Sequence, residues 1–366
     1  MSLTIRIHRS IEAIPREDWV RIMGEEVEGY DYFRVLEKSA LAGFSFAYID
    51  VLESGSRRLL APVFWGDLDL CIGVEGVVAK FLKGLRRLSP RLLMFRTLFV
   101  GSPFGEHGQI GWAGPACEAP ERYVSALLEA CEQLSQEQEL SFLLFKDFEP
   151  AAMKTLASLE DRRFIRGESF PNIVLPLDYP SMEAYVASLS ANTRKELRRK
   201  VRKAEQQSTW RVELRHSVED ILDDVYALYL QTYDAGTVHF EKLTPDYFRQ
   251  VGRLQAEQAR FFLFYAGERL VCFNLCFQQG TTLVDKFIGM DYAVARNLNL
   301  YFYTWHHNVQ WCLAQGIRSY QVGQTDYEAK RQLGGRKSPL GYYARHRRPW
   351  LNALLRRANA ILEPSS

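Results

Sequence analysis

Residues 283–334 hold the most informative pattern of the chain and read LVDKFIGMDYAVARNLNLYFYTWHHNVQWCLAQGIRSYQVGQTDYEAKRQLG. This pattern predicts a strand, a turn rich in asparagine and arginine, and an apolar helix from Leu298 to Gln315. A short strand and the polar start of another helix follow. A turn that opens a helix directly after a strand aims free backbone N–H groups and the positive end of the helix dipole at one point. The segment therefore predicts an anion site that suits a pyrophosphate.

The composition is that of a soluble globular protein, and its 366 residues leave room for two domains. The net charge of +2 gives no overall argument for a nucleic-acid or membrane binder, so any basic patch must be local. The N-terminus lacks the apolar core of a signal peptide, and no run is long enough to span a membrane. We therefore expect a cytoplasmic protein without a membrane span.

The six cysteines are scattered in apolar or small-residue settings. Cys272 and Cys276 share one face of a probable strand, but their spacing is not that of a metal knuckle and no histidine pair accompanies them. We predict that all six are reduced and that the chain holds no metal.

Residues 170–180, FPNIVLPLDYP, predict a boundary between two halves, because three prolines in eleven residues favour an extended strand or a linker. Both halves combine paired strands with helices, which suits a duplicated α/β unit. In the second half, a run of three strands includes Val271–Gln278, whose side chains alternate between two faces. Its face of cysteine, asparagine and glutamine suits either a channel wall or a surface packed under a helix.

Two segments carry a resemblance to a known family. The close of the quoted stretch, YEAKRQLG (327–334), resembles the end of GNAT-fold acyltransferase domains. The segment SANTRKELRRKVRKA (190–204) is similar to the arginine-rich helix of the Fem-type peptidoglycan-bridge aminoacyltransferases and the related FemAB-like, CelD-like acyltransferases. The resemblance implies an α+β or α/β fold, with two GNAT-like units in tandem whose mixed sheets are flanked by helices. The units are expected at 1–175 and 176–366, with the donor site in the second.

The turn at 295–300, ARNLNL, departs from the glycine-rich turn of acetyl-CoA enzymes, because it has no glycine. Fem-type enzymes share this departure and take an aminoacyl group from aminoacyl-tRNA. The resemblance therefore implies acyl-CoA, acyl carrier protein or aminoacyl-tRNA as co-substrate, with no permanently bound cofactor. Polar side chains could contact phosphate in place of the lost backbone donors, although a simple capping loop is the alternative. The donor-binding residues are predicted to be Arg296, Asn297, Leu298, Asn299 and Leu300.

N-acylation needs a base for the amine, donors for the oxyanion and an acid for the leaving group. The resemblance assigns the acid to Tyr327, for which packing on the core is the alternative. For the base we choose Asp285 or His239, and Glu241 is a weaker candidate that could bind the substrate.

Asp285 and Lys286 are adjacent on a strand, so they point to opposite faces and cannot both serve one pocket. We expect Asp285 to face the channel. Lys286 is expected either to be buried on the helix side of the strand with an ion partner or to bind substrate. Lys330 either meets an acidic group of the acceptor or is solvated.

The segment from Arg194 to Lys203 contains seven basic residues in ten, and its apolar seam is narrow. We predict that Arg194 and Arg198 contact phosphate of an acceptor, a carrier or tRNA, whereas a solvated charged face is the alternative.

The leading hypothesis is an N-acyltransferase that moves an acyl or aminoacyl group to a small-molecule or peptide amine acceptor. A protein of another class is the alternative: a non-catalytic RNA- or carrier-binding protein on a degenerate acyltransferase fold.

Overall fold

The structure is a computed structural model that describes residues 2–70, 84, 86, 91–236, 242–324 and 326–362. Within these residues one 13-stranded sheet runs through the molecule. Its strands are β1 (Leu3–His8), β2 (Ser45–Glu53), β3 (Ser56–Asp69), β4 (Met94–Val100), β5 (Gly111–Trp112), β6 (Phe142–Phe148), β7 (Ile165–Pro176), β8 (Trp210–Arg215), β9 (Ala259–Ala266), β10 (Arg269–Gln279), β11 (Thr282–Met290), β12 (Ser319–Gln321) and β13 (Arg336–His346).

The described helices cover both faces of this sheet. They are α1 (Arg16–Met23), α2 (Tyr30–Lys38), α3 (Pro115–Glu118), α4 (Pro120–Glu137), α5 (Pro150–Thr155), α6 (Met182–Ser188), α7 (Ala191–Gln207), α8 (Leu222–Ala235), α9 (Pro245–Leu254), α10 (Tyr292–Ala295), α11 (Leu300–Ala314), α12 (Tyr327–Gln332) and α13 (Pro349–Leu362). Short 3-10 turns lie at Ile11–Ala13, Ala157–Arg162 and Glu219–Ile221. None of these helices combines the length and apolar content needed to cross a bilayer.

The same arrangement occurs twice along the chain. In the first half β1, β2, β3 and β4 are antiparallel neighbours, and β4 then pairs in parallel with β6. In the second half β8, β9, β10 and β11 are antiparallel neighbours, and β11 pairs in parallel with β12. Each parallel pair is joined through a long helix, α4 or α11, because parallel strands need a crossover. The predicted tandem α+β fold of two GNAT-like units is confirmed.

The last strand of each half pairs with the other half. β13, from the end of the chain, lies between β6 and β7, and β7 in turn lies between β13 and β12. β7 pairs with β13 from Ile165 to Val174 and with β12 from Val174 to Pro176. The sheet is therefore continuous across the predicted unit bounds of 1–175 and 176–366, which stay a prediction. Most of the proline-rich segment 170–180 is strand.

Three apolar clusters form the core. One lies in the first half under α4, and another lies in the second half between the sheet and helices α6, α7 and α11. The third contains side chains of both halves, because α1 and α2 share it with α8, α9 and the adjoining strands. Direct hydrogen bonds reinforce this junction, as when Gln255 Nε2 donates to the Val27 carbonyl at 2.9 Å.

We predict that residues 1–176 and 177–366, produced separately, will not fold. The first piece lacks β13 beside β6, the second lacks β7 beside β12, and each exposes apolar surface of the shared core. Co-expression of the two pieces should restore a folded complex, measured by circular dichroism and gel filtration. A single piece with its own cooperative thermal transition would contradict the exchange of strands as a requirement for folding.

Candidate functional site

The strands β11 and β12 part at the centre of the second half. They pair only where residues 282–284 meet residues 319–321, because β12 ends at Gln321 whereas β11 continues to Met290. The short helix α10 and the start of α11 follow the end of β11, with the Asp291 side chain accepting from the Ala293 N–H at 3.0 Å. Among the described residues, the edge of β11 that faces β12 is therefore unpaired from Asp285 onward, and we call this interruption of the pairing the split. The chain runs from it through α10 into the first turn of α11.

The turn before α11 differs in part from the predicted anion cradle. The N–H of Leu298 donates to the Val294 carbonyl at 2.9 Å and that of Asn299 to the Arg296 carbonyl at 3.3 Å, so neither is free for phosphate. Leu300 is fully buried in the core, which leaves only its backbone for a ligand. Arg296 and Asn297 are exposed and can reach a ligand with their side chains.

An asparagine takes the position of this turn where a glycine would be expected. Asn299 adopts a left-handed backbone with φ of 50°, a conformation that favours glycine and that asparagine tolerates better than most other residues. Arg296 has ordinary helical angles. The turn thus has asparagine at its left-handed position, and its side chains remain available for contacts.

Unpaired polar atoms lie on the segments that follow β11 and β12. Asn299 Nδ2, Tyr301 Oη and Gln324 Nε2 are buried and have no hydrogen-bond partner among the described residues. Burial, followed by the negative charges of Asp326 and Asp285, raises the pKa of Tyr301. Buried polar atoms without partners are uncommon in proteins, and a polar ligand is one explanation for them. Sequence reasoning missed Tyr301 and Gln324, because neither belongs to a recognised motif.

Asp285 lies in a buried polar network on the α11 side of β11. Its carboxylate accepts a hydrogen bond from Tyr320 Oη at 2.7 Å and another from Asn274 Nδ2 at 2.6 Å. Asn308 of α11 donates to the same tyrosine oxygen at 3.0 Å. Burial raises the pKa of Asp285, although the two hydrogen bonds to its carboxylate oppose the shift. Asp285 therefore lies on the helix side of the strand, where Lys286 was expected, and the predicted arrangement of the two residues is reversed.

The polar face of β10 is not a channel wall. Cys272, Asn274 and Cys276 are fully or almost fully buried, and both cysteines belong to the cluster that packs under α11. Of the two interpretations drawn from the sequence, the surface packed under a helix is the one that the structure shows.

Lys286 points to the opposite side from Asp285, as the adjacent positions predict. A β-bulge in the pairing of β11 with β10 makes Lys286 the extra residue. Its side chain is 2% exposed and donates to the Phe104 carbonyl at 2.6 Å, to Glu106 Oε1 at 3.1 Å and to Glu28 Oε1. All three groups come from the first half of the chain.

The surroundings of Lys286 decide between its two predicted roles. An ammonium has three donors, and all three are used inside the protein, so Lys286 has none left for a substrate. The ion partner is confirmed, whereas binding of a substrate by Lys286 conflicts with this geometry. Burial alone would lower the pKa of Lys286, but the adjacent Glu106 and Glu28 carboxylates outweigh it, and the pKa lies above its ordinary value.

A cavity of about 320 Å³ lies beside this ion cluster, between the halves. Gln321 forms part of its wall and donates through Nε2 to Glu106 Oε2 at 3.2 Å. Burial raises the pKa of Glu106, with Lys286 opposing the shift and Glu28 adding to it. Gln109 is 7% exposed, yet neither polar atom of its amide has a hydrogen-bond partner within the described ranges. The buried carboxylates and the unpaired amide suit a polar ligand that carries positive charge.

Tyr327 and Lys330 lie on α12, directly after β12. Tyr327 Oη donates to the Pro171 carbonyl at 3.0 Å, and burial raises the pKa of Tyr327 to about 12. Lys330 is buried and donates to the Val322 carbonyl, which contradicts the expectation of a solvated side chain. Burial lowers the pKa of Lys330, and nearby acids, Asp285 first, oppose that shift.

The basic helix α7 packs beside the start of α11. Lys200 Nζ lies 3.6 Å from the centroid of the Phe302 ring, in the first turn of α11. Arg194 donates to the Ala187 carbonyl at 2.9 Å and so satisfies the end of α6. Arg198 is exposed and forms no ion pair with any described carboxylate. The positive surface of α7 therefore borders the turn that carries Arg296.

The remaining predicted residues, His239 and Glu241, lie outside the described residues, and their roles stay predictions. Among the residues that the structure covers, no group of three or more His, Cys, Asp or Glu side chains could hold a metal ion. The described cysteines are free.

Comparison with known proteins agrees with this architecture. Residues 191–331 match the family described as acetyltransferase (GNAT) domain. A search of curated proteins returned no match.

Three solved structures share the fold over nearly their whole length. FemX is 12% identical, with a TM-score of 0.57 over 97% of this chain and 100% of its own. The C-terminal domain of an Agrobacterium fabrum protein named as a putative lysylphosphatidylglycerol synthetase is 13% identical, with a TM-score of 0.56 over 94% of this chain and 95% of its own. A tandem GNAT protein from the clavulanic acid biosynthesis pathway is 12% identical, with a TM-score of 0.56 over 95% and 99%. The chain thus has the GNAT fold and, through its matched domain, is an acyltransferase.

We predict that Lys286→Met lowers the free energy of unfolding by about 3–5 kcal/mol at pH 7, because it leaves two carboxylates buried without their cation. The pKa of Glu106, already raised, should rise further in this variant. A raised carboxyl pKa favours folding below the unfolded pKa and loses that contribution as the pH rises through the folded pKa. Urea unfolding at pH 5 and pH 8 should therefore show a larger deficit at pH 8.

The double variant Glu28→Gln/Lys286→Met also removes one of the two carboxylates that Lys286→Met leaves without a cation, and it serves as the control. It should recover part of the lost stability at pH 8. Equal stability of wild type and Lys286→Met at both pH values would mean that the ion cluster does not hold the halves together.

Proposed function

We propose that this chain is a cytoplasmic Fem-type N-acyltransferase that moves an acyl or aminoacyl group from a phosphate-bearing carrier to an amine. The observation that carries the proposal is the split between β11 and β12, which lies on the strand that leads into the first turn of α11. Strands that part leave backbone donors and acceptors for an extended ligand. Coenzyme A, acyl carrier protein and aminoacyl-tRNA all present an acyl group on an arm with phosphate farther along it.

The side chains at the turn suit the phosphate end of such a carrier. Arg296 and Asn297 are exposed beside the positive end of the α11 dipole. The unpaired polar atoms of Asn299, Tyr301 and Gln324 lie on the segments that follow β11 and β12 and could bind the arm or the acyl group.

Two structural neighbours each support one type of donor. The clavulanic acid neighbour is described in its form without AcCoA, which supports a coenzyme A thioester as the donor. The lysylphosphatidylglycerol synthetase neighbour supports an aminoacyl group. The exposed basic residues of α7, which include Arg198, would add contacts for a large anionic carrier such as tRNA or acyl carrier protein.

The cavity between the halves suits the acceptor. A free amine is an ammonium ion at neutral pH, and the cavity presents the carboxylates of Glu28 and Glu106 against the single cation of Lys286. Gln109 can donate to and accept from the remainder of the acceptor. A small molecule or the end of a peptide side chain fits the volume of about 320 Å³.

The proposed chemistry begins when the ammonium transfers a proton to a carboxylate. The amine nitrogen then attacks the carbonyl carbon, backbone donors at the split stabilise the oxyanion, and the bond to sulfur or ribose oxygen breaks. Tyr327 protonates the leaving group after releasing the Pro171 carbonyl, and the second proton of the acylated nitrogen then restores the neutral tyrosine.

Two carboxylates compete for the role of base. The sequence favours Asp285, but its side chain points toward Tyr320 and Asn274, whereas Val284 and Gln321 line the cavity on the other face. Glu106 lies in the cavity, and we therefore propose Glu106 as the base and Asp285 as a positioning residue at the split.

The function is tested by incubating the purified chain with a panel of acyl-CoA donors and amines, with release of free thiol as the readout. A parallel assay with labelled aminoacyl-tRNA covers the other donor class. Turnover with either donor supports the proposal. Salt-sensitive binding of tRNA with no turnover by any donor would instead favour the non-catalytic binder.

We predict that Arg296→Ala raises the KM for the donor roughly tenfold and leaves the melting temperature unchanged, because it removes a charge-assisted phosphate contact from an exposed site. Arg318→Ala is the matched control, since Arg318 is also exposed but precedes β12 at the end where the strands are paired. An equal change in KM for both variants would mean that the turn does not contact the donor.

We also predict that Glu106→Gln lowers kcat by roughly 10²- to 10⁴-fold, the range for loss of a general base. Because the base must be deprotonated and the pKa of Glu106 is raised, kcat/KM of the wild type should rise with pH through a value above that of an ordinary glutamate. Asp285→Asn should change kcat less and preserve this profile. The reverse pattern, with the profile lost only in Asp285→Asn, would assign the base to Asp285.

A further inference from the structure

The last described helix, α13, is held to the body of the protein by one face. The Asn352 side chain is buried, accepts from the His346 N–H at 3.0 Å and donates to the Arg163 carbonyl at 2.9 Å. Arg356 donates to the same carbonyl at 3.1 Å. These bonds fix the rotation of the helix about its axis, so its other face points away from the protein.

That outer face carries the two most exposed large hydrophobic side chains of the described residues. Trp350 is 64% exposed and Leu354 is 57% exposed. They are four positions apart on the helix, so they lie next to each other on one face. Single exposed hydrophobic residues are ordinary, but a tryptophan and a leucine side by side on a rigid helix indicate a contact surface.

The charge along the segment that carries this pair is of one sign. Residues 347–362 contain four arginines and no acidic residue. All four arginines are exposed, and none forms an ion pair with a carboxylate in the part of the chain that the structure describes: Arg347, Arg348, Arg356 and Arg357. This local charge contrasts with a net charge of only +2 for the whole protein.

We propose that the outer face of α13 docks the protein on the surface of an anionic lipid bilayer. A helix with tryptophan and leucine on one face and arginines beside them can lie in the interface between headgroups and acyl chains. Tryptophan is favoured at that depth, and arginines bind lipid phosphates while their stems cover apolar surface. A double-stranded nucleic acid would use the arginines but would leave Trp350 and Leu354 in water, and for this reason a bilayer fits the whole surface better.

The test is sedimentation of the full-length protein with vesicles, either of phosphatidylcholine alone or with about 30 mol % phosphatidylglycerol. The protein should bind the anionic vesicles, and binding should weaken as salt rises from about 50 to 300 mM. Binding should be weak or absent with phosphatidylcholine alone. Equal binding to both vesicle types, or no binding to either, would overturn the proposal.

The apolar pair is tested with Trp350→Ser/Leu354→Ser, which should weaken vesicle binding at least about tenfold. The matched control is Phe170→Ser/Leu214→Ser, because these side chains are 53% and 41% exposed and belong to β7 and β8 and not to α13. The control should bind vesicles like the wild type. The melting temperatures of both variants should match that of the wild type, since none of the four side chains is buried.

The charge is tested with Arg348→Gln/Arg357→Gln, which should weaken binding mainly at low salt. Arg198→Gln/Arg202→Gln makes the same change in net charge on α7 and should leave vesicle binding intact. A larger loss from the α7 variant would place the lipid contact elsewhere and overturn the role of α13.

Two other occupants of this surface would show themselves in the same experiments. A dimer that the Trp350→Ser/Leu354→Ser variant converts to a monomer, without vesicle binding by either form, would mean that a second copy covers the face. Binding of RNA that depends on Arg348 and Arg357 but not on Trp350, again without vesicle binding, would mean a nucleic-acid surface. Each of these results would overturn the lipid proposal, and none depends on acyltransferase activity.

Discussion

The exchange of β7 and β13 is the constraint on which the rest of the structure depends. Each half lacks a neighbour for its own inner strand, β6 or β12, and receives that neighbour from the other half. Main-chain hydrogen bonds of a buried sheet are costly to leave unpaired, so neither half can complete its sheet alone. The exchange also explains why a proline-rich segment at the midpoint is not a tether: Pro171 and Pro176 lie in a strand that is paired along most of its length.

The cluster around Lys286 links this architecture to the chemistry. A β-bulge on β11 turns one ammonium of the second half toward Glu28, Glu106 and the Phe104 carbonyl of the first half. Burial of these three charges costs free energy of desolvation unless they are paired and hydrogen-bonded. Here every N–H donor of the lysine makes a hydrogen bond. The same contacts hold Glu106 at the wall of the cavity between the halves, with a raised pKa. Packing of the halves and the proton affinity of the proposed base therefore depend on one set of interactions.

The split between β11 and β12 shows how the fold accommodates a turn without glycine. Only Asn299 in that turn has a left-handed backbone, and its amide nitrogen has no hydrogen-bond partner among the described residues. Arg296 and Asn297 remain on the surface, next to the basic helix α7 that packs on α11 through Lys200 and Phe302. Contacts that a glycine-rich turn makes with its backbone can here come from side chains, and such contacts suit a charged carrier. The same side chains leave the carrier less room to approach the backbone of the turn.

Sequence alone determined what depends on local order. The strand, turn and helix of residues 283–334 follow from periodicity, and so do the opposite orientations of Asp285 and Lys286. The tandem of two units was implied by the family resemblance. Only the tertiary structure decided which groups meet over long separations. Glu106 and Gln109 stand in a loop without a motif, and they became site residues because the fold brings them to Gln321 and Lys286, about half the chain away. Burial likewise changed Lys330 from a solvated cation into a core donor, because exposure depends on what packs around a helix and periodicity reports only which face is apolar.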